Sequence, residues 1–298
     1  MKRKEFLGTT AGLLGLSSIT NISAAAGLHS NSKIVNNTLP ICFTCGTQYK
    51  ELNQTNNGCP ICKDDRQYVA AQGQTWTDLQ TLQSKYSNTF NKINDNLYEI
   101  KTTPKFAINQ RAFLIITPGG NILWDCIALI NQPTIEFIRS KGPLKAIAIS
   151  HPHYFTTMNE WAKEFDCPIF INHADEEWIF NKGKDVSLWD STSKELWDGI
   201  QIINIGGHFP GSSILRVPSL SSGGTIFVGD TFQIGANRKH ISVMYSYPNF
   251  IPVSIAEINR IKKLVPSIQF DSMYGAFDNQ QILGNAKDLL KISLEKYV

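Results

Sequence analysis

The residues from Ala146 to Thr157 constrain this chain more than any other stretch. Ala146 to Ser150 is an apolar run with the β-branched Ile147 and Ile149, which reads as a buried strand, and it ends at His151-Pro152-His153. Pro152 has no backbone N–H and a fixed φ, so the strand must stop there. Side chains two apart on an extended segment point the same way, and two imidazoles so placed can offer nitrogens to one metal ion. Ordinary hydrogen bonds would satisfy an isolated pair of this kind. The company it keeps decides between the two readings.

A second cluster is local. Cys42-Phe-Thr-Cys45-Gly46 and Cys59-Pro-Ile-Cys62 are two C-x-x-C knuckles with thirteen residues between them. At that distance each knuckle can place two thiolates on one side of a tetrahedral ion, which reads as a structural Zn²⁺ with no open position. Two disulfides are the competing reading, but C-x-x-C bridges close loops too short to gain much. Cys126 and Cys167, the remaining cysteines, read as buried thiols.

At 298 residues, 42% hydrophobic and 18% charged, the chain can build one large domain with appendages. A formal charge of +3 without a basic stripe argues against nucleic acid as a partner. Residues 1–28 read as an export signal: a basic start from Met1 to Lys4, a diluted apolar run from Leu7 to Ile19, and Ala24-Ala25-Ala26 as the cleavage pattern. The run is too short and polar to span a bilayer, so no integral membrane segment is expected in the mature chain. Arg3-Lys4-Glu5-Phe6-Leu7 resembles a twin-arginine signal with Lys for the second Arg, which points to the periplasm. That route carries proteins already folded and metal-loaded.

A zinc-ribbon module is expected over residues 38–72. Trp76, Leu79, Leu82, Tyr86 and Phe90 then fall at helical spacing, which predicts a linking helix within 73–94. From 95 to 298 strand and helix signals alternate. Strands are expected near residues 97–100, 112–116, 122–124, 168–171, 200–205, 213–217 and 225–228. Helices are expected near 133–141, after Thr157, from Ala174, and near 253–265 and 282–297.

Three of these elements end as the His-pair strand does, on a polar residue. Leu123-Trp124-Asp125 and Phe227-Val228-Gly229-Asp230 end strands on carboxylates. Gly206-Gly207-His208-Phe-Pro-Gly211 sets a His among glycines, where backbone can approach closely. His173 and His240 also lie near loops and read as satisfied polar groups rather than ligands.

This order resembles the metallo-β-lactamase superfamily: a strand-end Asp, an H-x-H pair, a Gly-flanked His before Pro-Gly, then Gly-Asp. Met244-Tyr-Ser-Tyr-Pro-Asn249 and Met273-Tyr-Gly-Ala-Phe277 also look like a subgroup of hydrolase-like members with an N-terminal zinc ribbon. The resemblance implies an α/β four-layer sandwich (αβ/βα) with a metal site on one edge of the sheets. It implies His151, His153 and His208 as ligands of the first metal, and Asp230 as the carboxylate that bridges two metals in dinuclear members. It also implies Asp125 as the residue that orients loops beside the site. The family's H-x-H-x-D-H continues here with Phe155 and Thr156, and Phe277-Asp278-Asn279 stands where its late His would come. The residues that would belong only to a second metal are therefore missing, while those implied for the first are present.

The expectation is one metal, zinc or iron, held by His151, His153 and His208 with Asp230 as fourth ligand or general base. The leading function is a metal-dependent hydrolase acting on a small molecule. Two other classes stay open. One is a non-catalytic protein on a degenerate version of the fold, with the ribbon docking a protein partner. The other is a redox protein with a single iron.

Overall fold

Side chains alternate between the two faces of a strand, and in this chain both faces are apolar, so each sheet must be covered twice. The computed structural model describes residues 38–51 and 58–297; the expected export signal lies outside them. A seven-stranded sheet follows chain order: Ser87–Asn94, Leu97–Thr103, Ala112–Ile115, Asn121–Trp124, Leu144–Ala148, Ile169–Asn172 and Val186–Trp189. The first four strands pair antiparallel and the remaining pairings are parallel. A six-stranded sheet is built from Ser193–Glu195, Gln201–Asn204, Ser213–Val217, Thr225–Phe227, Ser272–Tyr274 and Gln281–Ile282. Only Thr225–Phe227 and Ser272–Tyr274 pair parallel in it.

Phe113, Ile115, Ile122 and Trp124 of the first sheet share a buried cluster with Ile202, Leu215, Val217 and Phe227 of the second. The intervening residues Ala112, Leu114 and Leu123 face the other way, toward Ile135, Ile138, Met158 and Trp161 of helices Gln132–Ser140 and Met158–Phe165. On the far side Ile203, Ile226 and Val228 meet Ile258, Ile261 and Leu290 of helices Ile255–Leu264 and Ala286–Leu294. Each fully buried side chain of this size contributes on the order of 1.5–3 kcal/mol. The result is the four-layer sandwich, helix–sheet–sheet–helix. No helix among the described residues is long and apolar enough to cross a membrane.

The linking helix is corrected. It covers only Leu79–Lys85, starting at Asp78, whose carboxylate accepts the Thr81 N–H, and ending at an extended Tyr86. Ser87–Asn94 is instead the edge strand of the large sheet, in a hairpin with Leu97–Thr103. Ser87, Asn88, Thr89 and Asn91 are weak helix formers, and Asn94-Asp95-Asn96 is turn chemistry. Phe90 still packs, stacked on Phe137 with ring centroids 4.1 Å apart. The sheet of the large domain therefore begins at Ser87, ahead of the expected boundary at 95. Trp76–Thr77 belongs to the ribbon, where it pairs with Ile41–Cys42. The helix expected from Ala174 is a short 3₁₀ stretch, His173–Trp178.

Candidate metal centre

Asn121–Trp124 runs parallel to Leu144–Ala148, so Asp125 and the His pair emerge at the same end of the first sheet. In the second sheet Gln201–Asn204 and Thr225–Phe227 are each antiparallel to the strand between them, so His208 and Asp230 also emerge together. Ser213 donates its N–H to the Ser150 carbonyl at 2.9 Å, tying the sheets at this edge. Four side chains from three loops meet there. His151, His153, His208 and Asp230 are all buried, and one ligand atom from each lies within 4.8 Å of the others. His151 Nε2 and His153 Nδ1 are 3.4 and 3.8 Å from Asp230 Oδ2, and His208 Nε2 is 3.3 Å from His153 Nδ1.

The hydrogen bonds around the cluster aim these atoms inward. His208 Nδ1 lies 2.9 Å from the Tyr245 carbonyl, which can only accept, so that nitrogen carries the proton and Nε2 presents its lone pair. Asp125 adopts a left-handed φ of 64°, and its Oδ1 accepts the Ser150 N–H at 2.7 Å. Ser150 Oγ in turn lies 2.8 Å from His151 Nδ1. Asp125 thus acts on the His pair through Ser150. Gly229 has to be glycine: its φ is +50°, and a Cβ there would come within 2.5 Å of Ser150 Oγ.

Charge states suit a cation. Burial lowers the His151 and His208 pKa values, His208 strongly, which favours the neutral imidazole at both. Burial works to raise Asp230, but the His151 and His153 rings beside it, 3.4 and 3.8 Å from Oδ2, outweigh it and hold the carboxyl below its usual range. Burial pushes Asp125 well up, opposed by the Ser150 N–H and aided by the charge of Asp230. His151 Nε2 is buried and has no hydrogen-bond partner. Neutral imidazoles, an ionised carboxylate and an orphaned buried nitrogen fit a divalent ion.

The ribbon cluster is tighter. Cys42 Sγ is 3.6 Å from Cys62 Sγ, and Cys45 Sγ is 3.6 Å from Cys59 Sγ. Four sulfurs about 2.3 Å from a tetrahedral ion would be about 3.8 Å apart, whereas a disulfide needs about 2.05 Å. Gln74 Nε2 donates to Cys42 Sγ at 3.0 Å, and Tyr49 Oη lies 2.9 Å from Cys59 Sγ. Thiol hydrogen bonds from its neighbours hold Cys42 far below the ordinary thiol range. Burial, together with the other sulfurs, pushes Cys45 well up. Hydrogen bonding with Cys42 does the same to Cys62. Four such groups cannot all ionise without a cation among them.

A cavity of about 340 Å³ opens on the His cluster, lined in part by His153, His208, Asp230 and Tyr247. Phe277, in the segment where a late His was sought, is on its wall, as are Arg66 and Tyr68 from just past the ribbon's second knuckle. Phe155 is buried in the hydrophobic core, and Thr156 turns through a φ of 30° with its carbonyl accepting the Gln48 N–H. His173 is exposed beside Glu176, and His240 is exposed beside Asn237. Cys126 and Cys167 are buried thiols; burial pushes Cys126 well up and Cys167 to about 12.

Sequence reasoning missed Arg66, Gln110 and Asp175, which belong to no motif and touch the centre through backbone groups. Asp175 is buried under the His208 turn, where its Oδ1 accepts the Gly211 N–H at 2.7 Å. Burial raises its pKa to about 7.

No family model matches the chain. Solved structures share its fold. The DIM-1 metallo-β-lactamase superposes with a TM-score of 0.54 at 15% identity, covering 71% of this chain and 99% of that one. The metallo-β-lactamase FIM-1 from Pseudomonas aeruginosa, solved in a mono-zinc form, gives 0.51 at 13%, covering 70% and 95%. Fold, His/Asp cluster and four-cysteine group together define a metallo-β-lactamase-fold protein with an N-terminal ribbon. Within that class the chain belongs to the family of the uncharacterized protein YmaE of Bacillus subtilis. The two are 38% identical over 261 residues, 87% of this chain and 95% of YmaE.

Proposed function

We propose that the protein is a metal-dependent hydrolase of a small molecule, with one divalent ion at His151, His153, His208 and Asp230 and a structural zinc at the four cysteines. One observation carries the reading: four donors from three loops converge, and three of them, His153, His208 and Asp230, stand at the wall of a cavity of about 340 Å³. A zinc ion among three imidazoles supplies Lewis acidity and brings the pKa of water down to about 7. Imidazole suits iron as well, so metal identity belongs to the test. Asp230, with Phe155 and Thr156 where second-metal ligands would be, serves as fourth ligand or takes the proton of the attacking water. Asp125 and Ser150 keep His151 turned so that Nε2 faces the centre. The mono-zinc form of FIM-1 supports a one-ion reading for this fold.

The test is metal analysis of the folded protein, followed by ester, lactone, thioester and phosphodiester substrates. About two equivalents per chain are expected, with turnover that disappears in His151→Ala/His208→Ala while the ribbon equivalent stays. A third equivalent near Asp230, or full metal content in the double variant, would show the assignment to be wrong. Two bound ions with no turnover of any substrate class would favour a non-catalytic metal- or partner-binding protein. We also propose export through residues 1–28, on their sequence pattern. The mature chain should then begin near Gly27, and native protein that retains residues 2–10 on N-terminal sequencing would count against it.

A further inference from the structure

We propose that the four-cysteine ribbon is a positioning element of the His centre, with Arg66 as its principal contact, so that metal at the ribbon and metal at the centre bind cooperatively. The inference rests on the reading of His151, His153, His208 and Asp230 as a metal site, and not on hydrolysis.

Arg66 lies just beyond the one-turn helix Pro60–Lys63 that follows Cys59 and contains Cys62. Its Nε donates to the His208 carbonyl at 2.6 Å. Nη1 donates to both carboxylate oxygens of Asp64, at 2.9 and 3.0 Å, which fixes the plane of the guanidinium. The aromatic rings of Phe209 and Tyr245 lie 4.4 and 4.2 Å from it. Tyr245 is the residue whose carbonyl meets His208 Nδ1. A single ribbon side chain therefore holds the backbone of one ligand and the residue that sets that ligand's tautomer.

The His pair is gripped separately. Gln110 Nε2 lies 3.3 Å from both the Cys45 carbonyl and the His153 carbonyl, bridging a ribbon ligand to a centre ligand from a buried position. Gly46, with φ +84°, packs so close to Ala128 and Thr156 that an added Cβ would be 3.2 and 3.4 Å from their side chains. Asn249 Nδ2 donates to the Asp65 and Gln67 carbonyls, fastening the hairpin of Met244–Ser246 and Ile251–Pro252, which carries Tyr245, to the same ribbon segment. A module built only for docking a partner has no need to touch both His loops at their ligands. Contacts outside a ligand set orient it, and their removal lowers metal affinity 10- to 100-fold. Whatever the ribbon ion does for the centre, the centre ion must do for the ribbon by the same factor.

The test uses the full chain with zinc in the ribbon and Co²⁺ as the probe, its dissociation constant at the centre read from visible absorption under chelator competition. Arg66→Ala should weaken Co²⁺ about 10- to 100-fold while the ribbon keeps its zinc and the far-UV spectrum is unchanged. Arg66→Lys should recover only part of this, since a lysine cannot fork to Asp64 and stack at once. Lys63→Ala, an exposed ribbon change, should leave the constant as it was. Should Arg66→Ala fail to fold, a thiol-directed mercurial applied to the parent protein displaces the ribbon zinc instead, and centre-bound Co²⁺ should weaken over the same range. Co²⁺ affinity within twofold of the parent, in Arg66→Ala with zinc retained or after mercurial release of zinc, would overturn the proposal. A parent protein that takes up no Co²⁺ would overturn it together with the metal-site reading. Coupled Co²⁺ binding without turnover would leave it standing and remove the hydrolase reading alone.

Discussion

The four cysteines come from one short stretch, Cys42 to Cys62, and the hydrogen bonds of their sulfurs run to one another and to Thr47, Tyr49 and Gln74. The His centre draws on residues from His151 to Asp230, delivered by both sheets of the sandwich. The two clusters also differ in charge. Packed at 3.6 Å, the thiols lower Cys42 while Cys45 and Cys62 are pushed up, so the four cannot ionise together unaided, whereas at the centre burial favours neutral His151 and His208 beside one ionised carboxylate. The ribbon should therefore depend on its ion for its shape. The centre is built by the sandwich and should keep its geometry without one.

Cys59→Ser is the strongest way to break that contrast. Structural zinc carries on the order of 10 kcal/mol of apparent binding free energy, which in such modules is folding free energy. The variant should lose the ribbon equivalent and expose Cys42, Cys45 and Cys62 to thiol reagents, while the large domain still unfolds cooperatively. In the parent the four thiols should stay unreactive until a chelator is added. Two intact disulfides by mass spectrometry in freshly purified protein would defeat the zinc reading. Loss of the large domain's own transition in Cys59→Ser would erase the distinction between a metal-built and a sheet-built site.

Asp175 gives a smaller effect with a definite sign. Its pKa is raised to about 7 by burial, against an ordinary value near 3.9, so the folded state holds the proton longer than the unfolded one. The stability this confers is fully present below about pH 4 and is lost as pH rises through 7. At most it amounts to about 4 kcal/mol, since one pKa unit is about 1.4 kcal/mol. Asp175→Asn keeps an oxygen for the Gly211 N–H and removes the titration. Denaturant unfolding at pH 5 and pH 8 should show a smaller stability difference in the variant; an equal difference would show that Asp175 titrates normally.

Much of this was legible because it is local. The two knuckles need only their own spacing, and His151-Pro-His153 needs only a strand that stops at a proline. Asp125 and Asp230 were legible by place, each directly after an apolar run. Arg66 and Gln110 were not, because their acceptors are carbonyls of residues remote in sequence, and every residue has a carbonyl. His173 drew attention in a segment where the buried residue is Asp175. Trp76, Leu79, Leu82, Tyr86 and Phe90 matched a helix in spacing, but hairpin pairing with Leu97–Thr103 takes Phe90 into a strand. Tertiary pairing overrode a period that local pattern alone could not reject.

The finest test separates the charge of Asp125 from its hydrogen bond. Asp125→Ala leaves the buried Ser150 N–H without an acceptor, which costs about 1–3 kcal/mol. It also frees Ser150 Oγ from its place beside His151 Nδ1, so metal affinity at the centre should fall about 10- to 100-fold while the ribbon keeps its ion. Asp125→Asn retains an oxygen for the same bond. Burial already favours the uncharged carboxyl at this position, so the neutral amide should restore most of the stability and most of the affinity. Thermal unfolding and a metal titration on the two variants decide the matter. If Asn proves as damaging as Ala, the negative charge of Asp125 shapes the centre directly. Equal ribbon loss in both would mean that the strand end supports the two clusters alike, and the division between them would no longer hold.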